Sequence, residues 1–191
     1  MPLYLAQDAR ADAFLQEVPL ALILGMLLDQ QIPMERAFRG PFELSQRLQV
    51  PFDAAAIADL DPVQLDAAFA AKPAIHRFPS SMAKRTADMC RAIAQDYQNS
   101  AQNVWLEATD GADLARRLGN LPGFGPDKTK IFIALLGKQL GLAIDGWREA
   151  SDPFGREGTA YSVADIVDET SLMLVRQHKA EMKAMHKKAA R

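Results

Sequence analysis

The residues best suited to chemistry fall in three places along the 191-residue chain. The first is residues 110–145. Here Leu121, Pro122, Gly123, Phe124 and Gly125 make a short turn between a helix ending near Gly119 and a second helix opening at Pro126. Pro122 fixes the entrance to the turn, while Gly123 and Gly125 allow unusual backbone angles and close approach of a ligand. Leu121 and Phe124 are suited to pinning the two helices together. Beyond Gly125 the new helix presents unpaired N–H groups and the positive end of its dipole. Lys128 and Lys130, with Thr129 between them, reinforce an anion site suited to the backbone phosphates of DNA. The second place is Asp145, which follows the apolar Leu142, Ala143 and Ile144. A fixed carboxylate there can stabilise a developing positive charge or orient a water molecule. It can equally cap a helix N-terminus. The third is the pair Gln30 and Gln31, which follows the eleven-residue apolar run 18–28 and Asp29.

Other reactive types are sparse. Trp147, two residues beyond Asp145, could stack on a base. His76 is read as a surface residue, and His178 and His186 lie in a basic tail with no acidic pair to complete a metal set. The single Cys90 excludes an intrachain disulfide, a four-cysteine iron–sulfur cluster and a multi-cysteine zinc site. No metal and no cofactor is expected.

Two of these motifs together resemble the helix-hairpin-helix, Gly-Pro-Asp superfamily of base-excision repair DNA glycosylases, which includes the endonuclease III and alkylpurine glycosylase types. The turn 121–125 resembles the family's hairpin, and Asp145 stands where the family has its catalytic aspartate. The segment from Leu24 to Gln31 resembles the apolar helix ending in a glutamine that enters the DNA where a base has been extruded. The resemblance covers roughly residues 18–147. It implies Asp145 as catalytic residue, and Gln31, with Gln30 as neighbour, at the partner base. It also implies backbone contacts from Leu121, Gly123, Phe124, Gly125, Lys128, Thr129 and Lys130. Trp147 is then a candidate for the base pocket. Asp127 occupies the position of the lysine nucleophile of the endonuclease III type, and a carboxylate cannot form an imine. The expected enzyme is therefore monofunctional: it hydrolyses the N-glycosidic bond of a damaged or inappropriate base and leaves the strand intact. The competing reading is a non-catalytic hairpin protein that recognises lesions or distorted DNA.

The elements that must position these residues read as helices almost throughout. Apolar spacing and end signals predict helices at 8–17, 19–30, 34–38, 41–48, 53–59, 62–71, 80–97, 104–107, 111–118, 126–140 and 163–188, with 144–161 as a long loop. The expected fold is all-α: one domain of two helical lobes with a DNA-binding cleft between them. The first lobe takes about 25–141, and the second takes about 1–24 plus 142–191. Hydrophobic residues at 49% and charged residues at 24% are ordinary for a packed domain and exclude wholesale disorder. Net charge is −2, which by itself argues mildly against nucleic acid. The distribution tempers that, because residues 176–191 hold six basic groups against Glu181 alone. A run of eleven apolar residues is too short to span a bilayer. The expected protein is a cytoplasmic monomer, nucleoid-associated if bacterial, whose partner is double-stranded DNA and not a membrane.

Overall fold

The computed structural model describes residues 2–189, with the side chains of residues 2–185. It is all-helical: among the described residues there is no strand. Helix α1 (Ala9–Glu17) starts on the Asp8 carboxylate, which accepts from the N–H groups of Arg10 and Ala11. Pro19 then forces Val18 into an extended conformation, so α2 (Pro19–Leu28) leaves α1 at 116°. Helix α2 is apolar on all sides and nine of its ten residues are buried, which makes it the central rod of the core. No single helix among the described residues is long and apolar enough to cross a membrane.

Helix α3 (Met34–Arg47) corrects the expectation of two helices at 34–38 and 41–48. It runs through Pro41 without a break. Gly40 and Pro41 are not a stop signal here. A Cβ on Gly40 would sit 2.8 Å from Leu28 and 3.0 Å from Ile75, so glycine serves close helix packing. Burial of Phe38 and Leu44 on either side offsets the ~3 kcal/mol that an interior proline costs. Helices α4 (Ala54–Ala58) and α5 (Pro62–Ala70) then pack on α6 (Pro79–Asp96).

Helices α7 (Asn103–Leu106), α8 (Gly111–Gly119), α9 (Pro126–Gln139) and α10 (Trp147–Ala150) form the next packed group. Trp105 and Phe124 both meet Phe132 edge-on, at 5.9 Å and 5.7 Å between ring centres, which fixes α7 and the 121–125 turn against α9. Helix α10 lies inside the stretch expected to be loop. The predicted helix 163–188 is broken as well. Ser162 and Asp165 cap one another around a 3-10 turn (Val163–Asp165), and Lys138 and the Tyr161 N–H also hold the Asp165 carboxylate. The chain restarts as α11 (Glu169–Ala189), with Asp168 receiving the Ser171 N–H. Of the basic run expected at 176–191, Lys187, Lys188 and Arg191, like His186, lie outside the described side chains.

The segment carrying Asp145 is fastened by backbone. The Gly111 N–H donates to the Asp145 carbonyl at 2.7 Å, and a Cβ on Gly111 would overlap the Gly146 carbonyl. Because that obstacle is main chain, no rotamer change relieves it. Gly111→Ala is expected to destabilise the fold by ~2 kcal/mol, read as a lower urea midpoint with unchanged slope.

Candidate functional site

Three of the predicted places behave differently once folded. The turn 121–125 and the end of α2 are brought together from a hundred residues apart. Gly123 adopts φ +86°, where a side chain is strained, and a Cβ there would strike Leu27. Lys128 completes the junction. Its ammonium donates to the Met26 carbonyl at 2.6 Å and to the Leu27 carbonyl at 2.9 Å. These are among the last carbonyls of α2, which have no partner within the helix, and a cation there also meets the negative end of the dipole.

This corrects the expectation for Lys128. Its amine, expected to reinforce a phosphate site, turns inward and caps α2. Three other residues named for backbone contact have buried side chains: Leu121 (3% exposed), Phe124 (6%) and Thr129 (5%). Any contact they make to a phosphate comes from their main chain. What faces outward is the glycine backbone. Gly125 begins α9 without a side-chain cap, and a Cβ there would meet nothing within 4 Å. Among the described residues the N–H groups of Gly123, Gly125, Asp127 and Lys128 have no protein acceptor. Lys130 is half-buried, and its charge helps to hold the Asp152 carboxyl below its usual range, an effect led by the hydrogen bond from Arg156.

The two glutamines separate. Gln30 is fully engaged: its amide donates to the Leu27 carbonyl at 2.7 Å, and its amide oxygen accepts from Arg85 at 3.0 Å. Its own carbonyl lies 2.9 Å from His76 Nε2. His76 is buried rather than on the surface, at 2% exposed. Since Nδ1 accepts from the Phe78 N–H, Nε2 carries the proton and donates to Gln30. Burial holds this imidazole below its ordinary pKa, in keeping with the neutral form. Gln31, by contrast, is exposed and sits in the left-handed region at φ +57°. A non-glycine residue there costs ~1 kcal/mol, sustained by the anchored Gln30 beside it.

Asp29, between α2 and the glutamines, was not singled out from sequence. It is half-buried, and among the described residues no donor reaches its carboxylate. Burial raises its pKa against the opposing charges of Lys179 and Lys128, with Glu35 adding to the rise. Lys128 is pushed down to about 8 by the same burial, partly offset by Asp29. The available signal was a carboxylate set directly on the end of a wholly apolar helix.

Asp145 and Trp147 do not join this junction by any bond among the described residues. Asp145 is exposed and is tied to the first residue of α8, about 13 Å along that nine-residue helix from the turn. The N-cap of α10 is Gly146, so Asp145 is not a helix cap. It borders a shallow hollow of about 370 Å³ between Ala143 and Glu149. Trp147 corrects the base-pocket expectation. Its ring lies 2.5 Å from where a Gly137 Cβ would stand, and the Arg148 guanidinium covers it at 4.4 Å. It is a core residue, 8% exposed. Cys90 is buried, and burial pushes its thiol up to about 12, which leaves it inert. Among the described residues no group of three His, Cys, Asp or Glu side chains could hold a metal ion.

The Lys128 junction makes stability depend on pH in a definite direction. Below pH 8 the amine is protonated whether the chain is folded or not. Between pH 8 and the unfolded value of 10.5 the unfolded chain binds more protons, so folding is favoured as pH rises. Lys128→Met, which keeps the stem and removes the donors, is expected to cost ~2 kcal/mol at neutral pH. The wild type's advantage should then widen up to pH 10; urea midpoints with parallel pH dependence would contradict the junction.

No protein-family model, curated protein or solved structure matches this chain.

Proposed function

We propose that the protein is a monofunctional DNA glycosylase that hydrolyses the N-glycosidic bond of a damaged or inappropriate base. In this reading α8, the turn and α9 act as a helix-hairpin-helix that grips one strand, and a cleft between helical lobes receives the duplex. The single observation that carries it is the junction itself. A glycine turn with unpaired N–H groups is locked by Gly123 and Lys128 onto the end of α2, three residues before a left-handed, exposed glutamine. An anion site beside a projecting amide is what base extrusion needs: phosphates held by main chain, and a side chain to fill the gap and bond the orphaned base.

Hydrolysis also needs a carboxylate near the sugar. The resemblance assigns Asp145, which is exposed and free of side-chain bonds among the described residues. Lys128 as a Schiff-base nucleophile is disfavoured because its amine is directed at α2 carbonyls. A binding protein without catalysis is the second reading. It is favoured by the fixed position of Asp145 at the far end of α8 from the turn.

The test uses duplexes carrying uracil, 3-methyladenine, ethenoadenine, 8-oxoguanine or oxidised pyrimidines. At least one should yield an abasic site that breaks only on hot alkali, and borohydride should trap no covalent adduct. Binding without release on every duplex would leave the second reading standing. Gly125→Val separates the hairpin from folding. With φ −85° and open space around it the variant should fold normally, and DNA affinity should fall about tenfold regardless of sequence. Gln31→Gly is expected to raise stability by up to ~1 kcal/mol by relieving the left-handed strain, while slowing base release. A stable variant with undiminished release would remove Gln31 from the site.

A further inference from the structure

Asp29 and Asp66 are the half-buried carboxylates that accept no hydrogen bond among the described residues, and Asp29 is the one that lies at the junction, two residues before Gln31. Asp12 accepts from the N–H groups of Leu5 and Ala6, Glu43 from Arg36 and Arg47, and Asp165 from Lys138 and two N–H groups. Asp8 and Asp53 cap helices, and Asp88 and Asp113 are each paired with basic side chains on their own helix. Each of these groups is satisfied locally. Asp29 has cations around it but no donor on it: Lys128 from α9 is bonded to main-chain carbonyls, and Lys179 from α11 acts at longer range. Glu35 from α3 also faces it and is held by Arg176. On the α6 side, His76 and Arg85 are both spent on Gln30.

The position compounds the charge. Asp29 follows the last residue of α2, so its carboxylate adds to the negative end of a ten-residue helix. Such a pairing opposes folding, and the fold retains it next to the strained Gln31 and the turn's free N–H groups. The junction therefore offers two opposite fields side by side. The start of α9 favours an anion, and the end of α2 with Asp29 favours a cation.

We propose that Asp29 is the carboxylate that faces the positive charge developing on the deoxyribose as the base leaves. This rests on the glycosylase reading and moves the decisive carboxylate to the junction of the turn with the end of α2, two residues before Gln31. In the step, the C1′–N bond breaks and its electron pair leaves with the base, which takes a proton from solvent. A water oxygen forms the new C1′–O bond, and its proton passes to the Asp29 carboxylate. Phosphates of the same nucleotide lie on the glycine turn, so charge of each sign meets its complement.

The test needs no knowledge of the lesion. One duplex carries a pyrrolidine abasic analogue, protonated at neutral pH, and the other carries the uncharged tetrahydrofuran analogue. Wild-type protein should bind the pyrrolidine duplex at least about tenfold more tightly, and Asp29→Asn should shrink that preference to about twofold. Affinity for the tetrahydrofuran duplex should be little changed. Because ionised Asp29 is costly to bury, the variant should melt no lower than wild type near neutral pH, which a purely structural carboxylate would not allow. In wild type the preference should fade as acid protonates the carboxylate. A flat profile between about pH 7 and about pH 4 overturns the proposal even if the variant fails to fold. A preference kept by Asp29→Asn, or erased by Asp145→Asn instead, overturns the proposal alone. If wild type binds neither analogue better than undamaged duplex, the glycosylase reading falls and the proposal with it.

Discussion

One side chain ties the two halves of the candidate site together. Helix α2 is so apolar that it can end only where something supplies donors to its last carbonyls, and Lys128 supplies them from α9. Desolvating an ammonium is expensive, and its lowered pKa records that expense. The exchange is favourable because the alternative leaves unsatisfied carbonyls at the end of a buried helix. Everything near the junction inherits its position from this bond. Gly123 approaches Leu27, Gln30 turns its amide back onto the same Leu27 carbonyl, and Gln31 is left projecting in a left-handed conformation.

The electrostatic character of the region follows from two helix ends of opposite sign placed in contact. The start of α9 shows unpaired N–H groups, and the end of α2 shows carbonyls and a carboxylate. Neither requires a large net charge, which is consistent with a chain of net charge −2. A phosphate bound through main-chain N–H groups draws on a local dipole rather than on a basic surface. Local strain at Gln31 and an unbonded carboxylate at Asp29 both lower stability, and both sit at the same junction. That concentration is what singles out this junction as the candidate site.

The opposite end of the α8–α9 pair is built on different terms. There glycines permit close approach: Gly111 lets α8 reach the Asp145 and Gly146 carbonyls, and Gly137 admits the Trp147 ring. These contacts are main chain and aromatic packing, rigid and largely uncharged. Asp145 is accordingly well fixed in its backbone and free in its carboxylate, whereas Asp29 is fixed in a charged and strained neighbourhood. These are the two carboxylates between which the proposed glycosylase reading has to choose.

The sequence by itself determined the helical class, most helix starts and the existence of the turn. Those features are local: Asp8, Asp53, Asp61 and Asp110 cap the helices that follow them, and proline opens the helices at Pro62 and Pro126. The places where it misled are those where tertiary packing overrode a local signal. Pro41 lies inside α3 because close packing at Gly40 and burial of Phe38 and Leu44 hold the helix through it. The 163–188 helix is interrupted because Lys138 from α9 draws Asp165 into a cap. Trp147 is core because Gly137 leaves a space for it, and a gap of that kind is invisible along the chain. Only the tertiary structure decided that Lys128 faces inward, that His76 is buried and neutral, and that Asp29 has no donor. The Lys128 and His76 bonds reach groups 46 or more residues away, and helix periodicity says which face a residue occupies, not what stands opposite it.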